Sequence, residues 1–520
     1  MKKILLFLLL SWAIPTLNAQ SIFHKILTQN DVTGSLYRCV QTSDGSYASV
    51  GLLTDNAIFD DNFLVAKFNV DGKRLWIKAL GSTDSDEFTD VIETSDQGIV
   101  AAGSSVNFDS FLSTAVVVKF NSNGTKVWSK KYSLNGLSST AKKIQKDAGG
   151  NLYILGTIES SGSTTDYYIM KLDGNGNILQ QTSVNSTFSD YALSFLRKAN
   201  GDFFIGGWGN NGSGESIHVI KLNASYQVLW NKYIGGSTKL FSYDMKEKSN
   251  GNIVLAGRYD NGTNPFNALV LEIENASGNI SWAKRYSSSS NLGLYAYGLA
   301  IHSDDRIGIS GVMEDFYSGL IVFELNPTGT VNWSKRVTSA NELSSVGYGI
   351  CKSFEGGFVV CGSRSGIDSS CVQLLKTTVG GNVQCMGTNL GLEATDVTIN
   401  SESVAVNTGM TSLVAADVVF AEVSFTNLED ACDPVSLNEE LADTELSVYP
   451  NPSGGCFIVQ WKDIPSTSSL RMFNTSGMLV YQTNTFNNNR LELNLNLLPG
   501  IYFLQLNSNG SLLTQKVIIR

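Results

Sequence analysis

The oxygen side chains of Asp173-Gly174-Asn175-Gly176-Asn177 alternate at the spacing of a calcium loop. The run lacks a distal Glu and fills a slot that holds unrelated polar residues in other copies of a repeat, so turn chemistry is the better reading. Carboxylates crowd the segments expected to be loops: Asp55, Asp60, Asp61, Asp109, Asp166, Asp260, Glu314 and Asp315. Two of them facing one sugar ring would suit glycosidic hydrolysis, yet nothing in their spacing makes one an acid and another a base. Aromatic residues share these segments, among them Phe59, and Trp208, Tyr259, Phe316 and Tyr317 are the expected ligand-binding residues. Trp208 leads them, because an indole flanked by Gly206, Gly207 and Gly209 can stack on a sugar ring or a partner side chain. No Ser/His/Asp order or phosphate loop stands out. Three histidines (His24, His218, His302) and no CxxC argue against zinc, and no catalytic residue, metal or cofactor is expected.

Such residues need a scaffold, and the chain announces one by repetition. The phrase Lys67-Phe68-Asn69-Val70-Asp71-Gly72-Lys73-Arg74-Leu75-Trp76 recurs with closing residues Trp128, Gln180, Trp230, Trp282, Trp333 and Cys385, at spacings of 52, 52, 50, 52, 51 and 52. A second phrase, an apolar run ending in Gly, closes at Gly51, Gly103, Gly156, Gly206, Gly257, Gly311, Gly362 and Gly409. A period near fifty with strand-like content indicates a β-propeller. Four strands fit each unit. The first carries the Trp and the third is apolar on both faces, as a strand covered on both sides should be. Tight Asx/Gly turns join second to third and fourth to the next first, so both tight turns lie on one face of the ring and both long loops on the other. The long-loop face is where a ligand is expected.

Eight such sets predict an all-β, eight-bladed propeller, or a seven-bladed one if the weak unit 385–425 does not form a blade. One blade is expected to join both chain ends, Phe23-His24-Lys25 with Asp417 to Phe425. Each Trp is expected to pack between blades with its indole N–H on a backbone acceptor, which leaves weaker interfaces at Gln180 and Cys385. Seven cysteines leave at least one unpaired, and Cys385 with Cys432 is a possible disulfide.

The ends differ from the repeats. Lys2 and Lys3, the apolar run Ile4 to Leu10 and Leu17-Asn18-Ala19 read as a signal peptide over residues 1–19. The propeller is assigned to 20–426, an acidic linker to 427–444 and a small C-terminal β-sandwich of seven short strands to 445–520. The formal net charge of −10 argues against nucleic acid as a partner. No later apolar run is long enough to span a membrane, and a monomer is expected.

Tyr449-Pro450-Asn451-Pro452-Ser453-Gly454, Asn474-Thr475-Ser476-Gly477, Leu498-Pro499-Gly500-Ile501-Tyr502 and the terminal Lys516-Val517-Ile518-Ile519-Arg520 resemble the C-terminal sorting domain of the type IX secretion system of Bacteroidota. The resemblance makes Tyr449, Pro450, Asn451, Pro452, Gly477, Pro499, Gly500 and Tyr502 the sorting motif and the type IX machinery a partner. It implies passage across the outer membrane, followed by release or attachment to the cell surface. Residues 20–426 are similar to bacterial β-propeller repeat families, and more loosely to quinone-type propellers, whose cofactor-binding constellation cannot be placed here. A propeller supplies shape rather than one activity. The expected function is a secreted binding or adhesion module for a glycan or protein; a polysaccharide hydrolase or lyase and a structural spacer are the alternatives.

Overall fold

In the computed structural model the repeat becomes seven antiparallel sheets, each built around four strands that are consecutive in space. The structure describes residues 22–28, 32–56, 60–159, 164–186, 188–210, 214–236, 238–262, 265–315, 318–338, 342–366, 370–383, 387–423, 429–430, 446–451, 453, 455–461, 469–474, 478–484, 490–495, 497–508 and 511–520. Two compact units divide between Pro434 and Val435. The expected signal peptide, Cys432 and all of the expected linker except Glu429–Asp430, which pair with Thr28 and Leu27, lie outside the described residues, as do Cys385, Phe59, Phe316 and Tyr317.

The seven innermost strands are Val32–Gln41, Ser85–Glu93, Ser139–Lys146, Asp190–Arg197, Lys239–Glu247, Gly293–Ile301 and Glu342–Lys352, and they open blades I to VII in chain order. Each blade continues outward through an apolar strand such as Tyr47–Asp55 and a third such as Asp60–Phe68 to the Trp-bearing strand, Arg74–Gly81 in blade I. The middle strands are buried on both faces because each blade is covered by two neighbours. Blade VII takes its fourth strand, Phe23–Thr28, from the chain's beginning, paired to Ser370–Lys376 with Phe23 opposite Lys376. The two chain regions do meet in one blade, but the partner strand is not the one expected from the spacing.

That difference explains the blade count: seven, not eight. Residues 387–423 and 429–430 run back around the outside of the ring and add one short strand to the outer edge of every blade, in the order VI, V, IV, III, II, I, VII. These strands are two to five residues long, too short to carry a blade face but long enough to pair an exposed edge. Between them the belt lowers apolar side chains into the seams: Leu390 joins the core between V and VI, Leu413 that between II and III, and Phe420 that between I and II. Side-chain amides clamp it, with Asn231 bonded both ways to the Val404 backbone and Gln181 to that of Leu413. Gly409, the expected close of an eighth apolar strand, lies in this belt opposite Ser183.

The Trp residues do seal the seams. The indole N–H groups of Trp76, Trp128, Trp230 and Trp333 donate to carbonyls of Ser122, Gly174, Asn275 and Val379 in a tight turn of the next blade, at 3.0–3.1 Å. Each ring lies on the Gly of that turn, so close that a Cβ on Gly124 or Gly278 would come within 2.7 or 2.8 Å of it. Trp282 differs, donating to Glu272 of its own blade. The rings are half-buried, which lowers the cost of losing one below that of a fully buried Trp. Gln180 does not leave a poorer interface: its facing turn carries Tyr226 in place of Gly, at φ 61°, and that buried ring stacks on Phe203 at 5.2 Å. The aromatic is supplied from the opposite side of the seam.

The repeated Lys is tied to the turn between first and second strands: Lys67 pairs with Asp44, Lys119 with Asp96 and Lys376 with Glu355. Where that position is Glu, the turn supplies the cation, Lys248 for Glu272 and Arg306 for Glu324.

The second unit is described by two sheets, one of Leu446–Tyr449, Cys456–Trp461 and Arg490–Asn494, the other of Leu479–Thr483, Ser469–Asn474, Gly500–Ser508 and Ser511–Ile519. Val459 and Trp461 from one and Met472, Leu504 and Val517 from the other share a single apolar core, the arrangement of a sandwich.

Candidate functional site

In a propeller the innermost strands border the axis, and here all seven are interrupted at the same place. Their pairing with the second strand slips by one residue between Leu36 and Arg38, Phe88 and Asp90, Ala141 and Lys143, Ala192 and Ser194, Ser242 and Asp244, Ala296 and Gly298, and Gly347 and Gly349. The extra residue of such a bulge is left unpaired and re-aimed. Here it is Tyr37, Thr89, Lys142, Leu193, Tyr243, Tyr297 or Tyr348, each half-buried at the axial edge.

The bulge also accounts for the Gly that ends each apolar run. A Cβ on Gly51, Gly103, Gly156, Gly207, Gly257, Gly311 or Gly362 would sit 1.7–1.9 Å from a carbonyl oxygen two residues before the bulged one, for example Phe241 O against Gly257. Only a hydrogen fits there. In blade IV the position is Gly207, one residue after the Gly206 that the apolar run suggests.

Four of the bulged residues form a crescent across adjacent blades. Tyr37 of blade I meets Tyr348 of blade VII at 5.3 Å between ring centres, Tyr348 meets Tyr297 of blade VI at 5.6 Å, and Tyr297 meets Tyr243 of blade V at 5.1 Å. Tyr295 stacks on Tyr297 from behind at 5.7 Å. Because each innermost strand runs from a long loop to a tight turn, the crescent lies on the long-loop side of the residues that follow the bulge.

One residue further on, an ion-pair network bolts blades across the axis. Arg38 of blade I reaches across to blade V, donating from Nη1 and Nη2 to the two oxygens of Asp244 at 2.7 and 2.8 Å, and from Nε to Asp90 of blade II at 3.2 Å. Asp244 also accepts from Lys246 Nζ and from the Leu299 N–H of blade VI; Asp90 accepts from the Ile144 N–H of blade III. Burial alone would raise the Asp244 carboxyl, but Arg38, Lys246 and Lys143 hold it well below the usual carboxylate range. Burial and then the Arg38 charge push Lys143 down to about 8.

The residues expected to bind ligand are placed differently. Trp208 pairs opposite Tyr191 and stacks on it at 4.4 Å, then meets Phe241 of blade V edge-on at 5.7 Å, so its ring is engaged in a seam. Tyr259 packs on the core between blades IV and V. The loop acids are engaged within the ring: Asp61 accepts from Thr54 of its own blade and Ser85 of the next, Asp166 from Asn185, and Asp315 pairs with Arg336. Asp173 accepts from the backbone and side chain of its own turn, at Asn175 and Asn177. A buried Asp190–His218 pair in blade IV, 2.8 Å apart and joined by Tyr233 and Ser186, is wholly enclosed and open to no substrate. The axial residues were missed in the sequence, although each bulged residue stands fourteen positions before its strand-ending Gly.

Of the sorting motif, Asn451 is tied to the last strand by a bond to Lys516 O and one from Ile518 N, Tyr449 bonds Gln460, and Tyr502 bonds Leu498 O. Pro499 and Gly500 are exposed, and Pro452 and Gly477 lie outside the described residues.

Residues 447–520 match the family described as "Secretion system C-terminal sorting domain". No curated protein matches the chain. Among solved structures, a protein of unknown function from Dyadobacter fermentans is 10% identical with a TM-score of 0.40, covering 68% of this chain and 99% of that one. The β-propeller domain of the Trilobed protease from Pyrococcus furiosus is 9% identical with a TM-score of 0.40, over 67% and 95%. An α-L-arabinanase from Penicillium chrysogenum is 10% identical with a TM-score of 0.38, over 55% and 92%. These likenesses concern shape alone. The sorting domain marks the chain for export, and the described residues contain no helix long and apolar enough to cross a membrane.

Proposed function

We propose that the chain is an exported binding module, secreted or held at the outer cell surface, whose ligand is a glycan seated on the tyrosine crescent at the long-loop mouth of the axis. The observation that carries this reading is the convergence of Tyr37, Tyr243, Tyr297 and Tyr348 from four adjacent blades, with rings left half open. Aromatic faces of this kind offer apolar area at low entropic cost to a sugar ring. Hydrolysis is disfavoured by the state of the carboxylates near the axis: Asp90 and Asp244 are both committed to Arg38, and Glu87 beside Tyr37 is paired with Lys142. Export would follow cleavage after Ala19, and the terminal sandwich would be read by the type IX machinery.

The test is a glycan array probed with the exported protein and with Tyr297→Ala and Tyr348→Ala. The reading expects a glycan signal that each substitution weakens at least tenfold without moving the thermal midpoint by more than a few degrees. No glycan signal, binding indifferent to both substitutions, or capture of protein ligands only would overturn it; product release from an arrayed polysaccharide would establish the enzymatic alternative.

A further inference from the structure

On the tight-turn side of the Arg38 bolt the axis widens into a separate chamber of about 350 Å³. Its floor holds Arg38, Asp90, Lys143 and Lys246, with Asp244 bonded beneath, and its walls are largely apolar, with Ile92, Ile144, Phe195, Ile301 and Ile350 beside Gln41 and Gln145. Phe354, 67% exposed, stands at the mouth beside Lys352.

The floor is unbalanced in charge. Arg38, Lys143 and Lys246 bring three cations against the two carboxylates of Asp90 and Asp244, and both carboxylates are already bonded to Arg38, with Lys246 on Asp244. Lys143 is the surplus: among the described residues its ammonium makes no hydrogen bond or ion pair, although the residue is partly buried and lines the chamber. A partly buried cation without a partner costs free energy that an anion entering the chamber would recover. The volume falls within the range of small-molecule sites, which pair apolar walls with a few polar groups that fix orientation.

We propose that this chamber binds a small organic monoanion, a carboxylate on an apolar body, with the carboxylate on Lys143 and the body along the isoleucine and phenylalanine walls. One net positive charge at the floor suits one negative charge on the ligand, and the isoleucine and phenylalanine walls favour an organic body over inorganic phosphate or sulfate. The site lies across the bolt from the tyrosine crescent and stands or falls separately from it.

Titration calorimetry of the full exported chain at pH 6.5 with octanoate and benzoate, against octanamide and 1-octanol, tests this. Expected are saturable binding of at least one acid, at least tenfold weaker binding of the neutral analogues, a loss of at least tenfold in Lys143→Met, and recovery of most of it in Lys143→Arg. Neutral analogues that bind as well as the acids, the absence of binding by either acid at millimolar concentration, or a Lys143→Met protein that binds as wild type would overturn it. Should Lys143→Met fail to fold, the comparison of octanoate with octanamide on the wild-type protein decides.

Discussion

Replacing Arg38 by Met should reveal how much of the ring's closure depends on the axial bolt. The substitution keeps most of the side-chain volume and removes the guanidinium from two carboxylates that are 5% and 1% exposed, Asp90 and Asp244. Breaking a buried pair by removing one partner costs about 3–5 kcal/mol, chiefly because a charge is left uncompensated. Asp244 keeps Lys246 at 2.9 Å, and the channel admits water, so the lower end, about 3 kcal/mol, is expected. Denaturant unfolding followed by indole fluorescence is the assay, since six tryptophans, Trp208 among them, sit at blade seams. Adding Asp90→Asn to Arg38→Met removes a stranded charge while leaving an amide oxygen for the Ile144 N–H, and should restore about 1–2 kcal/mol. The pH dependence has a definite sign. Because the wild-type Asp244 carboxyl is held low, its contribution is present above the unfolded carboxylate range near 4 and is lost only as pH falls through the depressed folded value. The deficit of Arg38→Met is therefore largest at neutral pH and shrinks on acidification. A loss below about 1 kcal/mol at pH 7, or a further loss on adding Asp90→Asn, would refute this account of the bolt.

Further substitutions address the bulges, one seam and a buried acid. Gly257→Ala places a Cβ 1.7 Å from Phe241 O, where contacts under 3.0 Å force something to shift; it should cost about 3 kcal/mol or more in chemical denaturation, while Gly174→Ala, which meets nothing within 4 Å, should be nearly neutral. Gln180→Trp and Tyr226→Gly should each destabilise by about 2 kcal/mol, one by crowding and one by a cavity, whereas the double variant regenerates the Trp-on-Gly contact of other seams and should recover most of both losses; additive losses in this cycle would count against it. Asp86 is fully buried with one oxygen unpartnered, and burial lifts its carboxyl to about 6. The folded value exceeds the unfolded one, so stability from this group falls as pH rises from about 4 to 6, by roughly 2–3 kcal/mol; Asp86→Asn should match wild type near pH 4 and exceed it at pH 8, and parallel pH–stability curves would contradict that.

Local chemistry made much of the fold readable in the chain. A turn can be recognised from Asx and Gly wherever it occurs, a strand covered twice is apolar on both faces, and a unit copied at a near-constant spacing of about 52 residues must stack on itself; hence the propeller, the tight-turn and long-loop faces, and the Trp seams follow from residues such as Gly124 and Trp76. The seven strands of the terminal sandwich and its sorting motif are equally local. Four things were settled only by tertiary structure. The belt reads as a weak eighth unit because its strands draw their partners from the outer edges of other blades, some of them hundreds of residues away, as Val406–Gly409 does from Ile178–Ser186. Tyr226 compensates for Gln180 across a seam, which no single repeat displays. Trp208, conspicuous in the chain, is spent on Tyr191 and Phe241. The crescent and the bolt arise because a bulge turns one residue per blade toward a shared axis, and only ring closure brings residues as distant in sequence as Tyr37 and Tyr348, or Arg38 and Asp244, within reach of one another.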